Sequence, residues 1–557
     1  MQSRSESPDV VEGATAGAGG PGRLLLAPAP ASAPWSLQYG AWVILLVAVG
    51  ALTLFANLSG KDLWGADESL DAERAREMVA SRQWMIPTYL GKPNFEKPPV
   101  HYWIMAGAGR LFGPSDTTFR LPVAGFGLAT VLLTFALGAH LYGARAGGIA
   151  GFVLATSFLF VYYARTAFVD VPLLACITGA IWAGHRALVA DARWAGPACL
   201  AALLLAAGTV EKGLAGLVLP LLVLALGGSV AGRWRRLAAI AGLAAGLAAP
   251  VYIRVGAAFT GRFLMFDHLH RFFVPQADLG GNHPFYFYLP ALLGNFLPWT
   301  ILLPAAVVAL ACTPGALRRW RLPVAWFGVT FLLLSLAANK REPYLLPLFP
   351  ALALLLGVVA EEILAGRARA SLLQWWRWCL TGLGASCALA GVLLPVIWPP
   401  RLGTLTWYPW DAVVVLTGTW LVLCSWRRAE VAALVAAGLL ILGTTQLLVW
   451  RLLPAMNVTR SGRQAASIIL AAVGPAPLAV TPDVPPGLVF YLDLPQPAEA
   501  MVSLERLPET LQSGRLVLGN KRELADLLAG GGGTVRAKVP FHKEEYWLLS
   551  PKAKEER

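Results

Sequence analysis

The chain has 557 residues, of which 57% are hydrophobic and only 14% are charged, and its mean hydropathy is +0.59. Soluble domains carry about 25% charged residues, so this chain has too few of them to form the surface of a soluble enzyme of this length. The composition also excludes a disordered protein and a small disulfide scaffold. The net charge of +13 is typical of basic cytoplasmic loops, and the sequence predicts a polytopic α-helical membrane protein.

Residues 1–37 are rich in Gly, Ala, Pro and Ser and predict a disordered cytoplasmic tail. The apolar run from about Gly40 to Leu58 is long enough to span a bilayer. It lacks a convincing cleavage site, so we interpret it as an anchor and not as a signal peptide. Residues 38–454 are predicted to form a membrane domain of about 13 transmembrane helices. The later runs centre near residues 130, 155, 180, 203, 222, 245, 298, 330, 353, 385, 418 and 442.

The distribution of arginine predicts the orientation of these helices, because short loops rich in Lys and Arg face the cytoplasm. With the N-terminus inside, every inside loop is basic, as around Arg145, Arg235 and Arg318. The long loops 59–120 and 255–286 then lie on the outer side of the membrane. An odd number of spans also places the C-terminus outside.

Residues 455–557 are more polar and predict a small α/β domain on the outer face of the membrane, with a structural or substrate-gating role. Helical patterns cover Gly462–Val473 and Lys521–Leu528, and this region contains no P-loop, dinucleotide fingerprint or nucleophile elbow. Short strand-like pieces cover Leu478–Val480, Leu488–Leu492, Leu516–Leu518, Val535–Val539 and Tyr546–Leu549.

The first outer loop holds the densest polar cluster of the chain. Asp67 and Glu68 follow directly on a span and open a helical pattern that runs to Ser81. Carboxylates at headgroup depth are costly unless they are paired or used, although Asp67 could instead cap the helix. Glu96 and Lys97 precede two prolines, which hold the lysine ammonium in a set direction. The alternative for this second pair is a surface ion pair.

Two further outer clusters carry cations. His268 and Arg271 lie three residues apart in the 255–286 loop, which places them on one helical face that suits a phosphate. Ordinary headgroup contact is the alternative. Lys340 and Tyr344 lie between two later spans, where membrane-edge anchoring is the alternative. Asp170 begins another span, where it could simply cap a helix.

Together these residues predict one outward-facing pocket with one or two acids, several cations and access to lipid. Cations at headgroup depth beside a carboxylate fit a lipid-phosphate substrate and a transfer reaction. A lipid or sugar flippase would place its polar residues near the bilayer midplane, and here the centres of the spans are almost free of charge.

The motif residues of these loops closely resemble the bacterial aminoarabinose lipid A transferases and the wider protein O-mannosyltransferase-like membrane glycosyltransferases, which have the GT-C fold. The resemblance extends through most of the membrane region, in order. Its first part comprises Asp67, Glu68, Ser69, Ala72, Glu73, Arg76, Glu77, Met78, Ala80, Ser81, Trp84, Pro87, Gly91, Phe95, Glu96, Lys97 and Pro98, and it continues with Asp170, His268, Arg271, Pro298, Trp299, Lys340, Pro343 and Tyr344.

The resemblance implies transfer of a sugar from a polyprenyl phosphate donor, undecaprenyl phosphate, to lipid A or another envelope acceptor at the periplasmic face. It implies that Asp67 is the catalytic carboxylate and that Lys97 and Arg271 bind the donor phosphate. Asp170, Lys340 and Tyr344 occupy positions that line the same cavity, and Glu68, Glu96 and His268 are further candidate substrate-binding residues.

Two departures leave the sugar and the acceptor open. The aminoarabinose enzymes commonly read Asp-Glu-Thr-Arg-Tyr where this chain has Asp67 to Asp71, and they carry Tyr where it has Asn94. A protein O-glycosyltransferase of the same fold is therefore a second interpretation. No cofactor is required by this chemistry, although Glu96 and His268 could hold a divalent metal, since both residue types ligate zinc.

Overall fold

The computed structural model describes residues 37–94, 96–228, 233–256, 260–261, 263, 265, 270–275, 283–397, 409–494, 501–530, 532–541 and 544–551. The predicted disordered tail lies outside these residues except for its last position, because the first helix already begins at Leu37. The described chain forms a helical bundle, followed by a small region of mixed helices and strands after about residue 455.

The longer α-helices alternate with short turns along the bundle. They are Leu37–Gly50, Ala66–Ser81, Val100–Phe112, Asp116–Tyr142, Ala144–Ala155, Asp170–Val189, Ala195–Lys212, Ala215–Gly227, Trp234–Val255, Leu303–Cys312, Arg321–Leu336, Phe349–Leu364, Ala370–Ile397, Pro409–Trp426, Glu430–Leu447 and Gly462–Val473. Shorter α-helices are Phe158–Ala164, Arg271–Phe273, Tyr288–Asn295, Ala316–Arg319, Leu453–Ala455, Asn457–Arg460, Pro486–Leu492, Leu507–Gln512 and Lys521–Ala529. Segments of 3₁₀ or π geometry are Ala51–Phe55, Leu58–Gly60, Trp299–Leu302, Glu342–Leu348, Leu448–Leu452 and Leu504–Arg506.

Within the described residues, seven helices are long and apolar enough to cross a membrane, and the number rises to nine if each of two bent helix pairs counts as one span. One bent pair joins Ala144–Ala155 to Phe158–Ala164 at 67°, and the other joins Tyr288–Asn295 to Trp299–Cys312 at 110°. Every predicted span centre lies in a helix or at the break of a bent pair. The membrane-protein class predicted from the composition is thereby supported.

Small residues set the closest helix contacts, as in other membrane bundles. A Cβ atom on Gly138 would lie 2.7 Å from the Cα of Gly147, so the helices Asp116–Tyr142 and Ala144–Ala155 could not approach as they do with alanine there. Gly384 has the same role in the later helices, because its Cβ would lie 2.6 Å from the carbonyl oxygen of Gly418.

The first outer loop folds into two helices and a hairpin. The predicted helix is confirmed as Ala66–Ser81, and its apolar residues Ala72, Ala75 and Met78 are buried. Strands β1 (Thr88–Tyr89) and β2 (Lys92–Pro93) pair antiparallel after it. Glu77 fastens the hairpin, because its carboxylate accepts hydrogen bonds from Thr88 Oγ1 at 2.6 Å and from the backbone nitrogens of residues 90 and 91 at 2.6 and 3.2 Å.

The C-terminal region contains a four-stranded sheet of order β3-β4-β6-β5, with β3 and β4 parallel and the remaining pairs antiparallel. Its strands are β3 (Leu478–Val480), β4 (Leu516–Asn520), β5 (Thr534–Phe541) and β6 (Glu544–Ser550). Four of the five predicted strands are therefore confirmed, as are the helices Gly462–Val473 and Lys521–Ala529.

The predicted strand Leu488–Leu492 is wrong, because these residues belong to the helix Pro486–Leu492. A short continuous apolar run fits a buried strand or a buried helix equally well. Proline in the first turn favours the helix here, since the fixed φ of proline suits that position and its missing N–H is not needed there.

Ion pairs join the C-terminal region to the first outer loop. Arg463 binds Asp62 at 2.9 Å and Asp116 at 2.7 Å. Asn457 Oδ1 accepts hydrogen bonds from the backbone nitrogen of Asp62 at 3.0 Å and from Trp64 Nε1 at 2.9 Å. The C-terminal region thus holds the segment that leads from the first span into the Ala66–Ser81 helix.

Candidate functional site

Asp67 lies in the first turn of the Ala66–Ser81 helix, and its carboxylate forms an ion pair with Arg341. Burial alone would lower the pKa of Arg341, but the carboxylate of Asp67 raises it above its ordinary value. Asp67 remains 32% exposed, so it can also reach a ligand. Gly65, with φ +72°, occupies the N-cap position and no side chain caps it, so the capping alternative for Asp67 is wrong.

Glu68, the next residue, is 5% exposed and saturated by contacts within the protein. Its Oε1 accepts from Arg120 Nε at 2.8 Å and from the backbone nitrogen of Ala167 at 3.2 Å. Its Oε2 accepts from Lys61 Nζ at 2.5 Å and from the backbone nitrogen of Trp64 at 3.3 Å. Burial would raise the pKa of Glu68, but Arg120 and Lys61 hold it at about 2. Glu68 therefore anchors the loop, and its contact with a substrate stays a prediction.

Lys97 is held by a buried cluster that the sequence did not reveal. Its Nζ lies 2.7 Å from Asp71 Oδ2, and the other carboxylate oxygen of Asp71 accepts from Arg74 Nη1 at 2.9 Å and from Tyr102 Oη at 3.1 Å. Arg74 also binds Glu96 at 2.6 Å. The surface ion pair considered for Glu96 and Lys97 is therefore replaced by two separate pairs with one face of the Ala66–Ser81 helix. In the sequence, the only local indication of this cluster was the spacing of Asp71 and Arg74, which lie three residues apart on one helical face.

Asp170 begins the helix Asp170–Val189 and forms an ion pair with Lys212, at the end of the helix Ala195–Lys212. The Lys212 ammonium lies 5.0 Å from the ring of Tyr344 and 5.9 Å from the ring of Phe168. Lys97 lies 5.2 Å from the same Phe168 ring. Lys97 and Lys212 thus lie near the same phenylalanine, and Lys212 also connects Asp170 to Tyr344. Lys212 was not among the site residues predicted from the sequence.

One oxygen of Asp170, Oδ2, is buried and accepts no hydrogen bond from any described residue. A buried carboxylate oxygen without a donor is costly, so it is a position at which a donor group of a ligand would be favoured.

The segments that carry Arg271 and Lys340 are joined by the side chain of Asn339. Asn339 Nδ2 donates to the carbonyl oxygens of Arg271 at 2.6 Å and of Val274 at 2.8 Å. Lys340 is buried, its Nζ donates to the carbonyl oxygen of Ala337 at 2.6 Å, and no carboxylate among the described residues pairs with it. The two basic loops predicted from the sequence therefore lie side by side.

The predicted site residue His268 lies outside the described residues, so the pairing of Glu96 with His268 around a metal stays a prediction. Glu96 itself binds Arg74. Within the described ranges, no group of three or more His, Cys, Asp or Glu residues is arranged to hold a metal ion.

These side chains come from at least four separate parts of the chain: the Asp67 carboxylate lies beside Arg341, and Lys97 and Lys212 supply cations from two other segments. Such an arrangement can stabilise a phosphate that carries increasing negative charge while a carboxylate accepts a proton from an attacking group.

A protein-family model described as dolichyl-phosphate-mannose-protein mannosyltransferase matches residues 96–253. The undecaprenyl phosphate-alpha-4-amino-4-deoxy-L-arabinose arabinosyl transferase of Edwardsiella ictaluri is 30% identical over 377 residues, which are 64% of this chain and 65% of that protein. One such enzyme of Sodalis glossinidius is 34% identical over 58% of this chain and 59% of its own length. The matches thus span less than two thirds of these curated relatives.

Two solved structures show the fold. ArnT from Cupriavidus metallidurans, in a crystal structure bound to undecaprenyl phosphate, has a TM-score of 0.74 at 22% identity and covers 91% of this chain and 98% of its own. The archaeal oligosaccharyltransferase AglB from Archaeoglobus fulgidus has a TM-score of 0.52 at 11% identity and covers 89% of this chain and 70% of its own. These comparisons confirm the predicted resemblance: the chain has the GT-C fold and is similar in sequence to the aminoarabinose lipid A transferases.

Proposed function

We propose that this protein is a membrane glycosyltransferase that moves a sugar from a polyprenyl phosphate donor, undecaprenyl phosphate, to lipid A or another envelope acceptor. The observation that carries this proposal is the partly exposed Asp67 carboxylate, which pairs with Arg341 from a distant loop, in the fold of a protein whose structure contains undecaprenyl phosphate. The relatives named as arabinosyl transferases support the same class of donor.

In this reaction the bond between the anomeric carbon and the donor phosphate oxygen breaks, and a bond from that carbon to an acceptor oxygen forms. Asp67 accepts the proton of the acceptor oxygen as a base, or orients the acceptor. The polyprenyl phosphate leaves with an added negative charge, which Lys97, Arg271 and Lys340 stabilise. These three cations are proposed to converge on one phosphate.

Asp170 and Tyr344 are proposed to line the sugar side of the cavity. The buried Oδ2 of Asp170 can accept a hydrogen bond from a hydroxyl or amino group of the sugar. Glu96 and His268 remain the proposed ligands if a divalent metal takes part, and the cations alone suffice for the phosphate otherwise.

The proposal places about 13 spans in a bacterial inner membrane, with the site and the C-terminal domain in the periplasm. The seven long helices and the two bent pairs support nine of these spans. The helices at the predicted centres 222, 330, 385 and 418 supply the rest: Ala215–Gly227, Arg321–Leu336, Ala370–Ile397 and Pro409–Trp426. The alternation of basic loops supports this orientation.

A second candidate is a protein O-glycosyltransferase of the same fold. The match of residues 96–253 to the mannosyltransferase family model favours it. It differs in the acceptor, a protein hydroxyl, and shares the donor chemistry. A flippase is less well supported, because moving a lipid across the membrane does not require a carboxylate next to a phosphate-binding site at one membrane face.

The deciding experiment compares envelope lipids and glycoproteins by mass spectrometry in cells with and without the gene, complemented with the wild type or with Asp67→Asn. We expect a sugar-modified lipid that depends on the gene and on Asp67. A gene-dependent glycoprotein with unmodified lipids would assign the second candidate. Equal modification with the Asp67→Asn variant would contradict the catalytic assignment.

A further inference from the structure

We infer that Asp71 is a positioning residue for the donor: it fixes the Lys97 ammonium in the direction of the donor phosphate. This inference rests on the proposed function, because it needs Lys97 to bind that phosphate.

Asp71 is held in a fixed geometry. Its side chain is fully buried, and the two carboxylate oxygens have different partners. Oδ1 accepts from Arg74 Nη1 at 2.9 Å and from Tyr102 Oη at 3.1 Å, whereas Oδ2 is left for Lys97 Nζ at 2.7 Å. Because Arg74 and Tyr102 hold Asp71 from one side, Oδ2 is a fixed acceptor rather than a mobile one.

The Lys97 ammonium keeps one donor direction open towards a ligand. An ammonium has three donors. One is used by Asp71, and the face of Phe168, 5.2 Å away, covers another direction. The Lys97 side chain is still 15% exposed, which leaves a direction open for a phosphate oxygen. A lysine is otherwise a flexible point charge, so this restraint reduces the entropy that donor binding would cost.

The charges within the buried cluster around Asp71 cancel. Asp71 and Glu96 balance Arg74 and Lys97, so the four side chains together carry no net charge. Burial would raise the pKa of Asp71, but Lys97 and Arg74 lower it, so the carboxylate stays ionised at neutral pH. The cluster thus orients the Lys97 ammonium, while other cations of the site supply the net positive charge that attracts the phosphate.

A merely structural role predicts something different. Asp71 would then stabilise the loop as Glu73 does, which is equally buried and binds Arg76 at 2.7 Å on the same helix. Replacing Asp71 or Glu73 would lower the stability in similar ways, and neither change would act on the donor through Lys97.

The test is a double-mutant cycle with purified full-length protein, an undecaprenyl phosphate-linked sugar as donor and lipid A as acceptor. The variants are Asp71→Asn, Lys97→Gln, both together, and Glu73→Gln as the matched control. We expect Lys97→Gln to raise the KM for the donor roughly 10- to 100-fold and Asp71→Asn about 10-fold, as for the loss or weakening of a charge-assisted hydrogen bond. The pair together should resemble Lys97→Gln within about twofold, because Asp71 acts through Lys97. Glu73→Gln should leave the donor KM unchanged.

Each other outcome overturns a defined part. If the effects of Asp71→Asn and Lys97→Gln multiply, or if Asp71→Asn lowers the donor KM, Asp71 does not position Lys97. If Lys97→Gln leaves the donor KM unchanged, the proposed role of Lys97 is wrong and the inference fails with it. Should Asp71→Asn not fold, Tyr102→Phe removes only one donor to Asp71, and its expected two- to threefold rise in donor KM must vanish in the Lys97→Gln background. Persistence of that rise would overturn the inference.

Discussion

We expect Glu68→Gln to lower the stability of the protein, whereas the corresponding change at its neighbour, Asp67→Asn, should leave the stability almost unchanged. The two carboxylates are adjacent in sequence and differ in their surroundings. Glu68 is 5% exposed and forms ion pairs with Lys61 and Arg120, whereas Asp67 is 32% exposed and pairs with Arg341 alone. Glu68→Gln preserves the shape of the side chain but leaves two buried cations without their carboxylate.

The size of the effect follows from those contacts. Removing one partner of a buried ion pair costs about 3–5 kcal/mol. Burial lowers the pKa of Lys61 to about 7 even with Glu68 present, so Lys61 can lose its proton in the variant and recover part of that cost. Arg120 cannot lose its proton in this way, so we expect the free energy of unfolding to fall by about 3 kcal/mol. The exposed pair of Asp67 is worth about 1 kcal/mol or less.

Thermal unfolding of the purified protein in detergent measures this difference, with transfer activity measured on the same samples. We expect a midpoint lower by about 5 °C or more for Glu68→Gln, using the scale for smaller domains. Asp67→Asn should keep the midpoint within about 2 °C and lose at least about 100-fold in activity. A Glu68→Gln variant with the wild-type midpoint and little activity would refute this reasoning and would favour the contact of Glu68 with substrate that the resemblance implies.

The remaining predictions concern topology, pH and metal. Single cysteines at Gln83 and Arg235, both exposed, are expected to react differently with an impermeant reagent in cells whose outer membrane is permeabilised: Gln83→Cys labels and Arg235→Cys does not, and labelling at both positions would contradict the orientation. Because the pKa of Glu68 is lowered from 4.5 to about 2, its contribution to stability is complete above about pH 4.5 and is lost as the pH falls towards 2. The thermal midpoint should fall over that interval, and less so in Glu68→Gln. Excess chelator is expected to leave transfer unchanged, and a loss reversed by zinc would instead assign a metal.

Local properties of the sequence determined much of the architecture. Apolar runs of spanning length predicted where helices lie, because a bilayer demands long apolar helices whatever their neighbours are. The Ala66–Ser81 helix and four of the five strands were also predicted from local information, namely the types and spacing of the residues within each segment. The segment Pro486–Leu492 failed this test, since an apolar run of that length has no period that separates helix from strand.

The partners of the charged residues were decided only by tertiary structure. Asp67 binds Arg341, 274 residues away, and Lys97 binds Asp71 rather than its sequence neighbour Glu96. Sequence spacing indicates which side chains share a helical face, but which buried charges meet depends on how distant helices pack. Burial without a partner is costly, so the fold selects these pairs globally. For this reason the acidic and basic residues of the site could be named from the sequence, while the division of Asp67, Glu68 and Asp71 into separate roles could not.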